Sequence, residues 1–316
     1  MSKAFTAPRA DIYETVTNTI VAALEQAANP TEWPWVKAAI NGGGVPTNAS
    51  TGRAYSGINR LLLGVASMAG ASKYWATFNQ WKALNATVNK GSKGTLITFW
   101  GEIYVDRDSR QRCDATDPNA EAVLYCKPSY VFNADNVTGW TAPEAPAPQL
   151  PTGTVDRMDE VEAFVVATGA KVKDKGTEAF YTPALDAITM PERNRFRDTA
   201  TATATAHYYG VLMHELVHWT GKKGRCDRDL SGRFGDKSYA FEELVAEIGS
   251  AFLCGDLDIS PQPRADNAEY VRHWLAVLRN DKKAIFTAAT MSRKAAEFLH
   301  AQQPAQALAA SLPEAA

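Results

Sequence analysis

Cysteine is scarce in this chain: four in 316 residues, and no two of them form a Cys-x-x-Cys pair. That excludes a disulfide scaffold and leaves no thiolate metal cluster. Cys113 and Cys126 flank a predicted hairpin, but unpaired thiols are the expectation. Long hydrophobic runs are missing too. No stretch approaches the ~20 apolar residues of a membrane span, so no membrane partner is expected. Met1–Tyr13 lacks the charged-then-apolar layout of a secretory signal. A cytoplasmic protein is the simplest reading. Acidic residues are absent from Trp33 to Gly101, a stretch that holds Lys37, Arg53, Arg60, Lys73, Lys82, Lys90 and Lys93. The net charge of −2 conceals that asymmetry.

What is present fits an ordinary globular protein, 45% hydrophobic and 22% charged. A chain of 316 residues is long for one core, so two domains are expected. The Pro-rich segment 141–153, with Pro143, Pro146, Pro148 and Pro151, reads as an extended linker between domains 1–140 and 154–316. In the first domain, apolar spacing predicts helices over Arg9–Ala27, Asn59–Ala69 and Thr77–Leu84. Strands follow at Thr95–Tyr104 and Ala122–Phe132. In the second, a helix over Val155–Thr168 precedes short strands near Lys171–Val172, Ala179–Tyr181 and Ala187–Met190. The last of these is either an edge strand along which an extended substrate lies or a plain core strand. Helices then span Thr201–Trp219, capped by Gly221, and Tyr239–Leu253, with more between Asn267 and His300. The fold class is α+β in both halves.

His214-Glu215-Leu216-Val217-His218 lies inside the Thr201–Trp219 helix. Residues i and i+4 share a helix face, so the two imidazoles aim at one point, as a tetrahedral Zn2+ requires. Another divalent metal would also suit them. Glu215 sits beside that point, placed to take a proton from a metal-bound water and pass it to a leaving amine. A third protein ligand is needed. Glu243 and Glu247 share a face of the next helix. That segment resembles the ligand helix of glutamate zincins, which makes Glu243 the ligand and Glu247 the acceptor for a ligating histidine; the reverse assignment stays open. His207, His273 and His300 read as structural histidines.

The acid-free stretch interleaves its cations with Trp33, Trp35, Tyr55, Tyr74, Trp75, Phe78, Trp81, Phe99 and Trp100. Cations that track phosphates and rings that stack on unpaired bases are what single-strand binding needs. The plain alternative is a solvated basic face over a tryptophan core. Arg60, Lys73, Trp75, Lys90 and Lys93 are the candidates from this pattern. Duplex reading is not expected, because no helix clusters base-reading side chains.

The chain resembles the ArdC-type antirestriction proteins of conjugative plasmids and related mobile elements, from about Arg9 to Leu299. In the first half the resemblance rests on Pro46-Thr47-Asn48, Thr51-Gly52-Arg53-Ala54-Tyr55-Ser56-Gly57-Ile58-Asn59, Trp75-Ala76-Thr77-Phe78-Asn79-Gln80 and Val88-Asn89-Lys90-Gly91-Ser92-Lys93-Gly94. In the second it rests on His214–Gly221 and Tyr239–Glu247. Cys226 departs from the aliphatic residue expected there. TraC-type plasmid primases are similar in the first half. The resemblance implies an N-terminal single-stranded-DNA-binding domain and a C-terminal zincin-like metallopeptidase domain. It implies protection of incoming DNA from host restriction, with Arg53, Tyr55 and Asn59 as DNA contacts. Two rivals stand beside that expectation. One is a metalloprotease delivered with the DNA that cleaves an unidentified host protein. The other is a DNA-coating protein whose zinc is structural. A truncated primase is a weaker third, since no acidic primase-type cluster is visible.

Overall fold

The computed structural model describes residues 11–27, 32–33, 35–36, 44–67, 71–143, 155–199, 202–232, 236–259 and 268–304. Most of the predicted linker lies outside them.

The first helix, α1 (Ile12–Gln26), begins at Asp11, whose side chain accepts the Tyr13 backbone N–H at 2.9 Å. Val16, Ile20 and Leu24 recur every fourth residue and are all buried. After β1 (Thr47–Asn48) comes α2 (Gly57–Ala66), then β2 (Tyr74–Ala76) and α3 (Phe78–Ala83). Thr77 and Gln80 form a reciprocal capping box at the start of α3. Strands β3 (Thr87–Val88) and β6 (Val137–Thr138) form a small antiparallel ribbon. Between them runs a long hairpin, β4 (Thr95–Asp106) with β5 (Ala120–Asn133), paired without interruption from Thr95↔Val131 to Asp106↔Ala120. The four-stranded sheet has the order β1-β2-β5-β4, so β4 is an edge strand. Asn59 covers part of that edge. Its side chain accepts the Thr98 N–H at 2.7 Å and donates to the Thr98 carbonyl at 2.8 Å, which satisfies backbone groups that would otherwise template pairing.

The second half contains α4 (Asp159–Ala167), β7 (Lys171–Asp174), β8 (Phe180–Thr182) and β9 (Ala187–Met190), then α5 (Ala204–Thr220), α6 (Lys237–Asp256), α7 (Ala268–Asn280) and α8 (Ala284–Ala301). The three strands have the order β7-β9-β8. Ala187–Met190 is therefore the central strand of its sheet. The edge-strand alternative fails because β9 pairs in parallel with β7 as well as antiparallel with β8. The two edge strands are β7 and β8.

One hydrophobic core joins the helices of both halves, with Val16, Ile20, Leu61 and Leu62 packed in one cluster with Leu244, Ile248, Ala288 and Leu299. Two smaller cores serve the sheet: Leu63, Trp75, Ile97 and Val131, and separately Ala76, Trp81 and Ala86. The amphipathic faces of α1 and α2 thus find their partners in C-terminal helices. Across that junction Arg60 reaches Asp256 at 2.9 Å and the Phe252 carbonyl at 3.0 Å. All four cysteines are free. Among the described residues no helix is long and apolar enough to cross a membrane.

Candidate functional site

Helix α5 is started by Thr203, whose hydroxyl accepts the Ala206 N–H at 3.1 Å. The helix is buried almost all round, including His214 and Glu215. It packs on α6 through an unusually close contact. A Cβ added to Gly249 would fall 2.8 Å from Val217 Cγ2, so the backbone of α6 lies directly against the turn that carries the two histidines. Gly221 also has its own reason to be glycine. Its φ is −67°, an ordinary helical value rather than the left-handed one of a glycine cap. A Cβ there would meet Leu230 at 2.8 Å and the His218 carbonyl at 3.0 Å.

The close packing brings Glu243 over the histidine pair. His214 Nε2 and His218 Nε2 are 3.1 Å apart, and the two Glu243 oxygens lie 3.5 Å from one ring nitrogen each. One donor atom from each of His214, His218 and Glu243 falls within 4.8 Å of the others. On the far side of each ring stands another carboxylate. Glu247 Oε1 is 3.1 Å from His214 Nδ1, in an approach too oblique for a hydrogen bond, and Glu242 Oε1 is 3.1 Å from His218 Nδ1. With carboxylates at both Nδ1 atoms, the Nε2 lone pairs are the ones turned inward. This donor set fits a divalent cation.

The electrostatics agree. Burial alone would favour a neutral His214, but Glu243 and Glu247 outweigh it and push the ring up to about 10. Burial would raise Glu243, yet its hydrogen bond to His214, the nearby charge of His218 and the Tyr239 side chain hold it down at about 2. Glu242 is held low against burial by His218 and Arg228. The acids thus concentrate negative potential on the two rings, where a cation would replace a proton.

Glu242 and Arg228 escaped the sequence reading. Arg228 grips both Glu242 oxygens, at 2.9 and 2.8 Å, and also reaches Thr220 Oγ1 at 2.8 Å and the Val217 carbonyl at 2.6 Å. It ties the loop after α5 back to the end of that helix while orienting the partner of His218. The available signal was Glu242 itself, directly beside Glu243 on a buried helix.

A cleft of about 220 Å³ opens on the donors and is lined by His214, Glu215, His218, Tyr239, Glu243 and the β8 residues Phe180 and Tyr181. Its β8 wall is braced from behind. Tyr181 donates to Asp186 at 2.9 Å, and Arg225 grips the same carboxylate while stacking 3.8 Å over the Trp219 ring. His207 is next to Thr199 at 3.2 Å and His300 next to Asp256 at 3.2 Å, both away from the donors.

The residues singled out for nucleic acid separate into two groups. Arg53, Lys90 and Lys93 are exposed and have no ion-pair partner among the described residues. Lys73 is half-buried, its ammonium over the Tyr74 ring. The others are engaged within the fold, Arg60 and Trp75 buried and Tyr55 and Asn59 partly so. Trp75 is a core residue. Arg60 is buried, because its charge is paired with Asp256 and its guanidinium stacks on Phe252 at 4.6 Å. Asn59 is spent on Thr98. Tyr55 packs against the Leu63–Trp75 cluster, and its hydroxyl accepts the Asn48 amide at 3.0 Å.

Comparison with known proteins gives this architecture a family. The family described as the N-terminal domain of anti-restriction factor ArdC matches residues 10–132, and the zincin-like metallopeptidase family matches residues 159–291. The uncharacterized protein y4eC of Sinorhizobium fredii (strain NBRC 101917 / NGR234) is 40% identical over 297 residues, covering 93% of this chain and 92% of that protein. The DNA primase TraC of Escherichia coli is 32% identical over 309 residues, and the match spans only 20% of the primase. The crystal structure of the antirestriction ArdC protein from the R388 plasmid superposes with a TM-score of 0.74 in its metal-free form, at 38% identity over 92% of this chain and 97% of that one. Its Mn(II)-bound form gives a TM-score of 0.72 at 37% identity over 92% of this chain and 98% of that one. With an α+β fold, a zincin-like second half and these relatives matched along nearly its whole length, the chain belongs to the ArdC family of antirestriction proteins.

Proposed function

We propose that this protein binds single-stranded DNA entering the cytoplasm and protects it from host restriction, and that it carries a hydrolytic divalent-metal centre held by His214, His218 and Glu243. The observation that carries the metal reading is the convergence of those three donors within 4.8 Å. Two imidazoles and a carboxylate favour zinc; the similar R388 ArdC structure holds Mn(II). A bound ion would supply Lewis acidity and a water of lowered pKa. The chain's own residues do the rest. Glu242 holds the His218 ring at its Nδ1, and Glu247 faces the Nδ1 of His214. Glu215, in the cleft wall beside both histidines, accepts the proton of the attacking water and returns it to the leaving amine. The free edge of β8 offers backbone groups to an extended peptide.

A catalytic centre is favoured over a structural one by the cleft. Structural zinc sites are closed by four protein ligands, whereas three donors facing a cavity leave a position for water. The DNA reading is supported by the ArdC N-terminal match and by the exposed Arg53, Lys90 and Lys93.

Glu215→Ala tests the proposal during transfer of unmodified DNA into a restricting host. The variant is expected to keep its metal and its affinity for single strands while protection is lost. Full protection by a variant that still holds metal would mean that DNA coating suffices and the centre is structural.

A further inference from the structure

The rings that the acid-free stretch offers are mostly spent on cores, so the question is which of them faces solvent among unpaired cations. Trp33, Trp35, Trp75 and Trp81 are all buried. Phe78 is 55% exposed. It is the first residue of α3, and Lys82 lies one turn further on the same face, also exposed.

Phe78 is also physically joined to the Arg53 turn. Asn48 sits between them. Its side-chain oxygen accepts the backbone N–H groups of Ser50 and Thr51, at 3.0 and 3.1 Å, and so shapes the turn that ends in exposed Arg53. Gly52 takes the left-handed conformation that this turn requires, with φ +68°. The Asn48 amide then donates to Gln80 Oε1 at 3.3 Å, and that same oxygen accepts the Thr77 N–H at 3.0 Å. One hydrogen-bonded unit therefore holds the Arg53 turn against the start of α3. The parallel pairing of β1 with β2, Asn48↔Trp75, fixes the two from the other side.

We infer that Phe78, Lys82 and Arg53 form a single-strand docking point, in which Phe78 stacks on an unpaired base and the two cations take the flanking phosphates. This rests on the single-stranded-DNA reading above and gives it a location. Charge complementarity selects the occupant. Neither cation has an ion-pair partner among the described residues, and no carboxylate occurs in the sequence from Trp33 to Gly101. By contrast Arg60, Arg193, Arg225 and Arg228 are all neutralised by acids. An exposed ring beside unneutralised cations matches a strand with bare bases and repeating phosphates; a duplex keeps its π-faces stacked. The Asn48–Gln80 bond acts as a positioning contact, since it touches neither base nor phosphate in this arrangement.

Fluorescence anisotropy of the full chain with a labelled oligo-dT strand, in a salt series and alongside a duplex of equal length, tests the assignment. Phe78→Ala is expected to raise Kd about 5- to 150-fold, the range of one lost base stack. Phe78→Leu, which keeps apolar bulk, should fall with it, and Phe78→Trp should bind like the parent. Arg53→Ala and Lys82→Ala should each flatten the slope of log Kd against log salt by about 0.7. If the parent binds single strands but Phe78→Ala and Phe78→Leu bind equally well, the docking point is wrong while the DNA reading stands. If the parent shows no single-strand binding at all, both fall.

Discussion

Gly249 of α6 lies against Val217 of α5, so close that a Cβ would sit 2.8 Å from Val217 Cγ2. Val217 is flanked by His218 and lies three residues after His214, and Gly249 follows Glu247 by two. The contact therefore sets the distance between the helix that carries the histidines and the helix that carries the acids. Gly249→Ala is the corresponding test. Helix propensity alone would make alanine stabilising there by ~1 kcal/mol. Overpacking should reverse the sign and cost ~1–3 kcal/mol in urea unfolding, with weakened metal uptake as the acids move off. A stabilised variant would mean that the helices are further apart than described.

Glu242 is expected to matter for metal binding although it does not face the donor point. It stands 3.1 Å from His218 Nδ1 and is held by Arg228. Replacing it by glutamine keeps an acceptor but removes the charge that makes the ring a stronger donor. Titration calorimetry with Zn2+ should show a loss of roughly 10–100-fold in affinity for Glu242→Gln, the usual size for outer-shell partners of metal-bound histidines. Unchanged affinity would make the carboxylate a structural anchor for Arg228 only.

Asp186 gives a stability prediction with a defined pH sign. Hydrogen bonds from Arg225, ahead of opposing burial, and then from Lys222 and Tyr181, hold its carboxyl well below the usual carboxylate range. A depressed folded-state pKa means that the unfolded chain binds the proton more readily. The contribution is then complete above the unfolded value of ~3.9 and is lost as pH falls through the folded value. Asp186→Asn tolerates the positive φ of 48° at this position and removes the charge at every pH. The Tm difference between parent and variant should be constant from neutral pH down to about 5 and should shrink below about 4. A difference that widens in acid would contradict the charge pairing.

The helix that carries the two histidines was legible because its pattern is local. His214, Glu215 and His218 share one turn, and a period of 3.6 places them without tertiary information. Glu243 needed a resemblance, because nothing local says which of the three glutamates on α6 meets the rings. The hairpin was legible as two neighbouring strands, Thr95–Tyr104 and Ala122–Phe132, and it runs slightly longer than predicted at both. What the sequence hid were contacts made far along the chain. Arg60 counted as a surface cation in the composition, yet its partner Asp256 is 196 residues away and pairing lets the charge be buried. Asn59 was similarly committed to Thr98, and Trp75 to a core. Ala187–Met190 could not be placed at edge or centre, since strand order depends on the β7 crossover rather than on the four residues themselves.

The claim that organises the site is a single divalent-metal centre on His214, His218 and Glu243. Metal content per chain, measured by elemental analysis after stripping with chelator and reloading with Zn2+, tests it most directly. The account predicts one ion per parent chain, loss of that ion in His214→Ala, His218→Ala and Glu243→Gln, and retention in Glu215→Ala. A parent chain that takes up no ion, or one whose uptake survives all three ligand substitutions, would contradict it.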